Sequence, residues 1–179
     1  VVSMKASSVL ETIEANEEFA SKYDVPLHIG VTEAGPLITG VVKSTLAFSK
    51  LLTEGIGSTI RVSLSSTPEN EVITGREILH ECGLRKGGVT LISCPRCGRL
   101  GFDVHGFVER WQNELLSMKK DITVAIMGCV VNGPGEGKHA DIGIAGAGDK
   151  AIIFKKGQII RTIDIKDADN EFRKELESL

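Results

Sequence analysis

The sequence predicts an α/β fold in which repeated strand–helix units give way, near Gly87-Gly88, to a smaller α+β unit. Three observations predict it. Apolar stretches at 1–4, 27–31, 59–64 and 89–93 recur about every thirty residues, the length of a βα unit. Helical patterns fill the gaps, and near-continuous apolar strands joined by helices imply a parallel sheet covered on both faces. Beyond residue 97 the order changes to helix, strand, glycine-rich loop and hairpin.

The chain opens on Val1-Val2-Ser3-Met4, a strand already under way with no polar lead-in, so a piece of a longer protein is expected. Ser8 and Glu11 have the spacing of a capping box, in which each side chain satisfies a free amide at a helix start. Val9, Leu10, Ile13, Phe19, Ala20 and Tyr23 follow at near-helical spacing. A second helix, over about 41–54, is expected to bury Val42, Leu46, Leu51 and Leu52 and to stop at Gly55-Ile56-Gly57. Pro68 suits the first turn of a third helix capped by Thr67, and Gly83 can end it.

A fourth helix over 102–118 carries Val104, Phe107, Trp111, Leu115 and Met118 on one side. The strand 122–127 then leads into the loop Asn132-Gly133-Pro134-Gly135-Glu136. Residues 141–145 read as a short strand, and 151–154 with 158–163 as a hairpin around Lys156-Gly157. From about Lys166 a polar helix sets Phe172, Leu176 and Leu179 on one side.

Composition narrows the function. An apolar fraction of 41% and a charged fraction of 25% belong to a soluble globular protein, and 179 residues suffice for one domain or two small ones. A net charge of -3 with a pI near 5.9 leaves no basic footprint for nucleic acid. No apolar run reaches the roughly 18 residues of a membrane span, and no signal peptide pattern is visible, so a cytoplasmic protein is expected. Four cysteines without secretion signals point to metal or redox use.

Cys94-Pro95-Arg96-Cys97 can present two thiolates to one metal centre from a single turn. Cys129 follows the strand 122–127 and opens the loop that ends on Glu136. Cys-Pro-x-Cys-Gly is also the knuckle of zinc ribbons, but a ribbon needs a second Cys-x-x-Cys, which this chain lacks. A zinc-binding structural module would have to recruit Cys82 or a histidine, and Cys82 reads more simply as a packed thiol. A [4Fe-4S] cluster accounts better for the count, with three thiolates and Glu136 as the weakly held fourth ligand that a substrate can exchange.

Cys94-Pro95-Arg96-Cys97-Gly98-Arg99, followed by Ile126-Met127-Gly128-Cys129-Val130-Val131-Asn132-Gly133-Pro134-Gly135-Glu136, closely resembles the C-terminal domain of the 4-hydroxy-3-methylbut-2-enyl diphosphate synthase family. Lys5-Ala6-Ser7, His28-Ile29-Gly30-Val31-Thr32-Glu33-Ala34-Gly35 and Arg61-Val62-Ser63-Leu64 resemble that family's barrel strands and their ends. The resemblance therefore covers almost the whole chain. It implies that 1–87 is the C-terminal part of a (β/α)8 TIM-type barrel, about its last three βα units. It implies that 88–179 is a small α+β [4Fe-4S] domain of the sulfite/nitrite reductase type, with Cys94, Cys97, Cys129 and Glu136 as ligands. The implied reaction is the two-electron reductive ring opening of 2-C-methyl-D-erythritol 2,4-cyclodiphosphate to 4-hydroxy-3-methylbut-2-enyl diphosphate, in the methylerythritol phosphate route to isoprenoids. A ferredoxin or flavodoxin would donate the electrons. The intact enzyme would be a homodimer in which one subunit's cluster domain caps the other's barrel. A partial barrel leaves sheet edges open, so the isolated chain need not be active.

The remaining candidates follow from that assignment. Lys5 and Arg61 are expected to contact the diphosphate, with Ser63 on the same side as Arg61 by strand alternation and Lys43 as a weaker contact. Asn132 can hydrogen-bond a substrate hydroxyl, or be an ordinary turn residue. Glu33, at a strand end, would position substrate or a proton donor, or orient a basic residue. Arg96 and Arg99 flank the cysteines and would moderate cluster charge or contact substrate, if they are not plain surface residues. His28 falls mid-strand and is expected to be packed, while His80, His105 and His139 are expected at exposed or helix-face positions. Lys138 and His139 could line the rim of the Glu136 loop.

Overall fold

Three parallel backbone segments organise the first of two units, Val1–Lys86, in a computed structural model that describes residues 1–95, 97–98 and 101–179, with the backbone alone at Glu136. The second unit is Gly87–Leu179. Unit 1 runs through α1 (Val9–Lys22), β1 (His28–Gly30), α2 (Leu37–Thr53), β2 (Thr59–Arg61) and α3 (Pro68–Glu81). β1 pairs with β2 in parallel, His28 opposite Thr59 and Gly30 opposite Arg61. On the other side of β1, Val2 bridges Leu27 in parallel, and the Thr32 amide donates to Ala6 O at 3.0 Å.

Alternation divides these segments into two faces. Leu27, Ile29 and Val31, with Val62, are buried in one core together with Ala47, Phe48 and Leu51 of α2 and Ile78 of α3; Val2, Met4, Ile60 and Leu64 pack against it. The intervening side chains are those of Ser3, Lys5, His28, Thr59, Arg61 and Ser63, all exposed or half-buried, with Gly30 buried among them. The expected sheet with two apolar faces is thus corrected. Single polar residues inside the apolar runs mark a second face that is polar.

Two helix faces also differ from expectation. In α1 the inward positions are Thr12 and Asn16, both fully buried, while Leu10 and Tyr23 are exposed. Asn16 Nδ2 donates to Met4 O at 2.7 Å and Thr12 Oγ1 to Ala6 O at 3.2 Å, tying α1 to the first segment. Each such bond is worth about 1 kcal/mol net, and a buried polar side chain needs it. Ser8 caps α1, its Oγ accepting from the Glu11 amide at 3.4 Å. In α2 the start at Leu37 turns Gly40, Ser44, Ala47, Phe48 and Leu51 inward at helical spacing, which leaves Val42 and Leu46 exposed. α3 begins with Pro68 in its first turn after Thr67, and Gly83, with φ +71°, follows its C-cap Cys82.

Unit 2 comprises β3 (Val89–Ser93), α4 (Val104–Ser117), β4 (Ile122–Met127), β5 (Ile142–Ala147), β6 (Lys150–Lys155), β7 (Gln158–Asp164) and α5 (Ala168–Glu177). Its sheet has the order β3-β4-β5-β6-β7, the first three strands parallel and the last two antiparallel. Val104, Phe107, Trp111 and Leu115 of α4 are buried with Ala168, Phe172 and Leu176 of α5, whereas Leu179 is exposed. Phe172 meets the Phe107 and Trp111 rings edge-on, at 5.4 and 5.0 Å between centroids. Burial of each large side chain is worth about 1.5–3 kcal/mol. Trp111 Nε1 donates to Asp169 Oδ1 at 2.6 Å, satisfying the one polar atom of its ring.

β5 runs two residues further than expected, because Gly146 and Ala147 still pair with Ala151 and Lys150. The expected Asn-Gly-Pro-Gly-Glu loop is wound into a π-helical turn, Val131–Gly135, and a 3-10 turn, Glu136–His139. π turns are rare and favour functional sites. Among the described residues, no helix is long and apolar enough to cross a membrane.

Candidate metal centre and anion-binding face

Ser93, the last residue of β3, stands opposite Ile126 of β4, so Cys94 and Gly128-Cys129 leave the same end of two adjacent parallel strands. Both thiols are buried, each 8% exposed. The Gly128 amide donates to Cys94 Sγ at 3.1 Å, and Gly128 O accepts from the Gly101 amide at 2.8 Å. Cys129 Sγ lies 3.8 Å from Asn132 Oδ1, and Cys129 O accepts from the Gly133 amide at 2.9 Å. Cys97 is exposed. Arg96, Arg99 and the Glu136 side chain lie outside the described residues. Lys138 and His139, following Glu136, are exposed.

Close backbone approach holds this end of the sheet. A Cβ on Gly146 would stand 2.6 Å from Gly128 O and from Gly101 C, so glycine there lets the two cysteine-bearing stretches converge on β5. Phe154 of β6 lies beneath the wound loop, its ring 3.4 Å from a Cβ placed on Gly133 and 3.0 Å from one on Gly137.

Among the described residues, no three His, Cys, Asp or Glu side chains converge as a ready-made metal set. What the fold does bring to one place is a buried thiol carrying an N–H···S bond and a second buried thiol at the neighbouring strand end. Soft thiolates with amide donors suit an iron–sulfur cluster, whose sulfurs accept such bonds. Cys82 packs against the core of unit 1 instead, at the C-terminus of α3.

Unit 1 gathers a second group. Lys5 Cε lies 3.1 Å from the position of a Cβ on Gly30, and Gly30 pairs with Arg61, so both cations occupy one level of the polar face. Burial lowers the Lys5 pKa and the Arg61 charge lowers it further, as expected of neighbouring like charges. Neither forms an ion pair among the described residues. Two unpaired cations on one face attract a multiply charged anion. Ser63 continues that face beyond Arg61, half-buried. Lys43 is half-buried on α2, and no hydrogen bond or ion pair joins it to the others.

Glu33 follows β1 with φ +51°, a left-handed backbone that a glutamate adopts at a cost of about 1–2 kcal/mol, and its Oε2 accepts from Ser7 Oγ at 3.2 Å. His28 is where the sequence reading missed. It is not packed in the core but half-buried on the polar face, its Nδ1 2.8 Å from Thr59 Oγ1. Burial lowers its pKa first, and the Lys5 and Arg61 charges add to that. The missed signal was its spacing: two residues before Gly30, it shares the face of Lys5.

Comparison with known proteins matches residues 1–76 to the GcpE TIM-barrel domain and 90–178 to the GcpE protein C-terminal domain. The chain is 64% identical over its full length to the 4-hydroxy-3-methylbut-2-en-1-yl diphosphate synthase (flavodoxin) of Treponema pallidum, of which it covers 46%. It is 66% identical to the protein of the same name from Treponema denticola, covering 49% of it. Over 90% of the chain it is 52% identical to that of Thermodesulfovibrio yellowstonii, again covering 46%. The chain thus spans about half the length of the curated relatives it matches. With both domain models matched in order along the chain and relatives of one name across it, this protein belongs to the GcpE family.

Proposed function

We propose that this chain carries the closing βα units of a TIM-type barrel and the cluster domain of a cytoplasmic 4-hydroxy-3-methylbut-2-enyl diphosphate synthase, a two-electron reductase. The intact protein would open the ring of 2-C-methyl-D-erythritol 2,4-cyclodiphosphate with electrons from a flavodoxin, the donor named for the relatives. The reading rests above all on the paired strand ends that set Cys94 and Cys129 side by side in the domain matched to the GcpE C-terminal model.

Cys94, Cys97, Cys129 and Glu136 would hold a [4Fe-4S] cluster, the first three as thiolates and Glu136 as the exchangeable carboxylate. When bound, the cluster would pass on the donor's electrons one at a time and supply a Lewis-acid centre. The chain's own residues do the rest. Lys5 and Arg61 neutralise the diphosphate, and Ser63 and Lys43 extend that contact. Asn132, held beside Cys129 Sγ, orients a substrate hydroxyl or the thiol itself. Glu33, its backbone strained and its carboxylate fixed by Ser7, positions substrate or a proton donor. We assign the cluster domain to the sulfite/nitrite reductase type and the intact protein to a homodimer in which one cluster domain caps the partner's barrel.

Anaerobic reconstitution of the chain with iron and sulfide tests the cluster half. A brown protein with about four irons and four sulfides per chain, lost in Cys94→Ala and Cys129→Ala, is the expected result. A colourless protein that holds one zinc and refuses iron would sink it.

A further inference from the structure

His28 has no part in the reading above, yet it stands on the cationic face. Ser3 Oγ donates to its carbonyl at 3.0 Å from the first segment, and Thr59 Oγ1 meets its ring at 2.8 Å from β2. With Nδ1 engaged by Thr59, Nε2 is the ring's remaining polar atom. Gly30, the next residue of β1 on this face, has no side chain, and the Lys5 stem and the Arg61 carbonyl oxygen lie against it. The charged groups facing His28 are Lys5 from the first segment and Arg61 from β2. β1 adds no ionisable side chain of its own to that level. The core side of the same segments faces the helices, where Asn16 of α1 and Gly75 of α3 meet Met4, Ile60 and Val62. Of the carboxylates nearest along the chain, Asp24 is exposed ahead of β1 and Glu33 is engaged by Ser7 beyond its end.

We propose that His28 is the proton-accepting member of the Lys5–Arg61 face: a phosphate-class dianion seated there draws a proton onto the His28 imidazole, so binding tightens as pH falls through neutrality. The proposal rests on reading this face as the diphosphate site. Its physical basis is a reversal of sign. In the free protein, burial and two cations favour neutral imidazole. A dianion offsets both cations and adds an attraction, so the charged ring becomes the favoured form. Linkage makes the effect reciprocal, because the protonated ring must then bind the anion more tightly.

The test uses the full chain and sulfate, a dianion that does not itself titrate near neutral pH. The titration midpoint of His28, followed by NMR of nitrogen-labelled histidine, should rise by about one unit when sulfate saturates the protein. By linkage, sulfate should then bind about three- to sixfold more tightly near pH 6 than near pH 8. His28→Asn, which can keep the bond to Thr59, should bind sulfate without that pH dependence, while Lys5→Met should lose binding. Sulfate that binds through Lys5 without moving the His28 midpoint overturns the proposal and leaves the anion face standing. Failure of both sulfate and inorganic pyrophosphate to bind, or equal binding in Lys5→Met, overturns the face and the proposal with it.

Discussion

Gly128 donates its amide hydrogen to Cys94 Sγ at 3.1 Å, although 34 positions separate the two residues in sequence. The bond orients one thiol before any ligand arrives, and strand pairing alone creates it. The four cysteines also differ in access, Cys94 and Cys129 being buried, Cys82 half-buried and Cys97 exposed. Iodoacetamide labelling of the metal-free chain, followed by mass spectrometry, should modify exposed Cys97 about tenfold or more faster than buried Cys94 and Cys129. Equal rates at Cys94 and Cys97 would mean that the strand end is not closed as described.

Gly146→Ala tests the convergence on β5. The new methyl would meet backbone atoms of Gly101, Phe102 and Gly128 at 2.6–2.8 Å, none of which can rotate away. A loss of about 1–3 kcal/mol in urea unfolding of unit 2 is expected, with weaker retention of iron. An unchanged midpoint and full iron content would show that the two stretches have room to spare.

Glu33 carries a strained backbone, so its conformation and its chemistry can be separated. Glu33→Gly should leave the chain as stable or up to about 1 kcal/mol more stable, whereas Glu33→Val should destabilise it by about 1–2 kcal/mol. Chemical denaturation of the two variants decides it, and a Val variant as stable as the Gly one would refute the left-handed conformation.

Asp169 links α5 to α4 and sets a pH dependence. Burial opposes its ionisation, but bonds from Arg110 and Trp111 outweigh that and hold its pKa below the usual carboxylate range. A depressed folded pKa stabilises above the unfolded value of about 4 and loses that contribution as pH falls through the folded value. Asp169→Asn should therefore lower stability at neutral pH and flatten its decline between about pH 5 and pH 2. A variant with the parental acid-unfolding curve would remove Asp169 from the account.

Much of the fold was legible where apolar runs are unbroken. β3 and β4 fall on 89–93 and 122–127 as expected, and the stripe from Val104 to Leu115 is buried as read. The inward faces of α1 and α2 were legible only in part: Leu51 and Leu52 are buried and Ile13 and Phe19 pack against the core as read, but Thr12, Asn16, Gly40 and Ser44 hold the central contact positions. Asn16 gets there by satisfying Met4 O, and Gly40 by fitting against Leu64, reasons that hydrophobic counting does not register. The cysteine motifs were legible as motifs, but the nearness of Cys94 to Gly128 depends on β3 lying beside β4, a tertiary fact. His28 needed a register with Thr59, 31 residues on, before its face could be known.

The stacking of Trp111 on Phe107 and the tilted contact of Tyr23 with Phe19 have a practical consequence. The chain has one tryptophan and one tyrosine, and they fall in different units. Nature has placed a separate lamp in each half. Indole emission watches Gly87–Leu179 and phenol absorbance watches Val1–Lys86, so an unlabelled sample tells whether the halves melt in step or in turn.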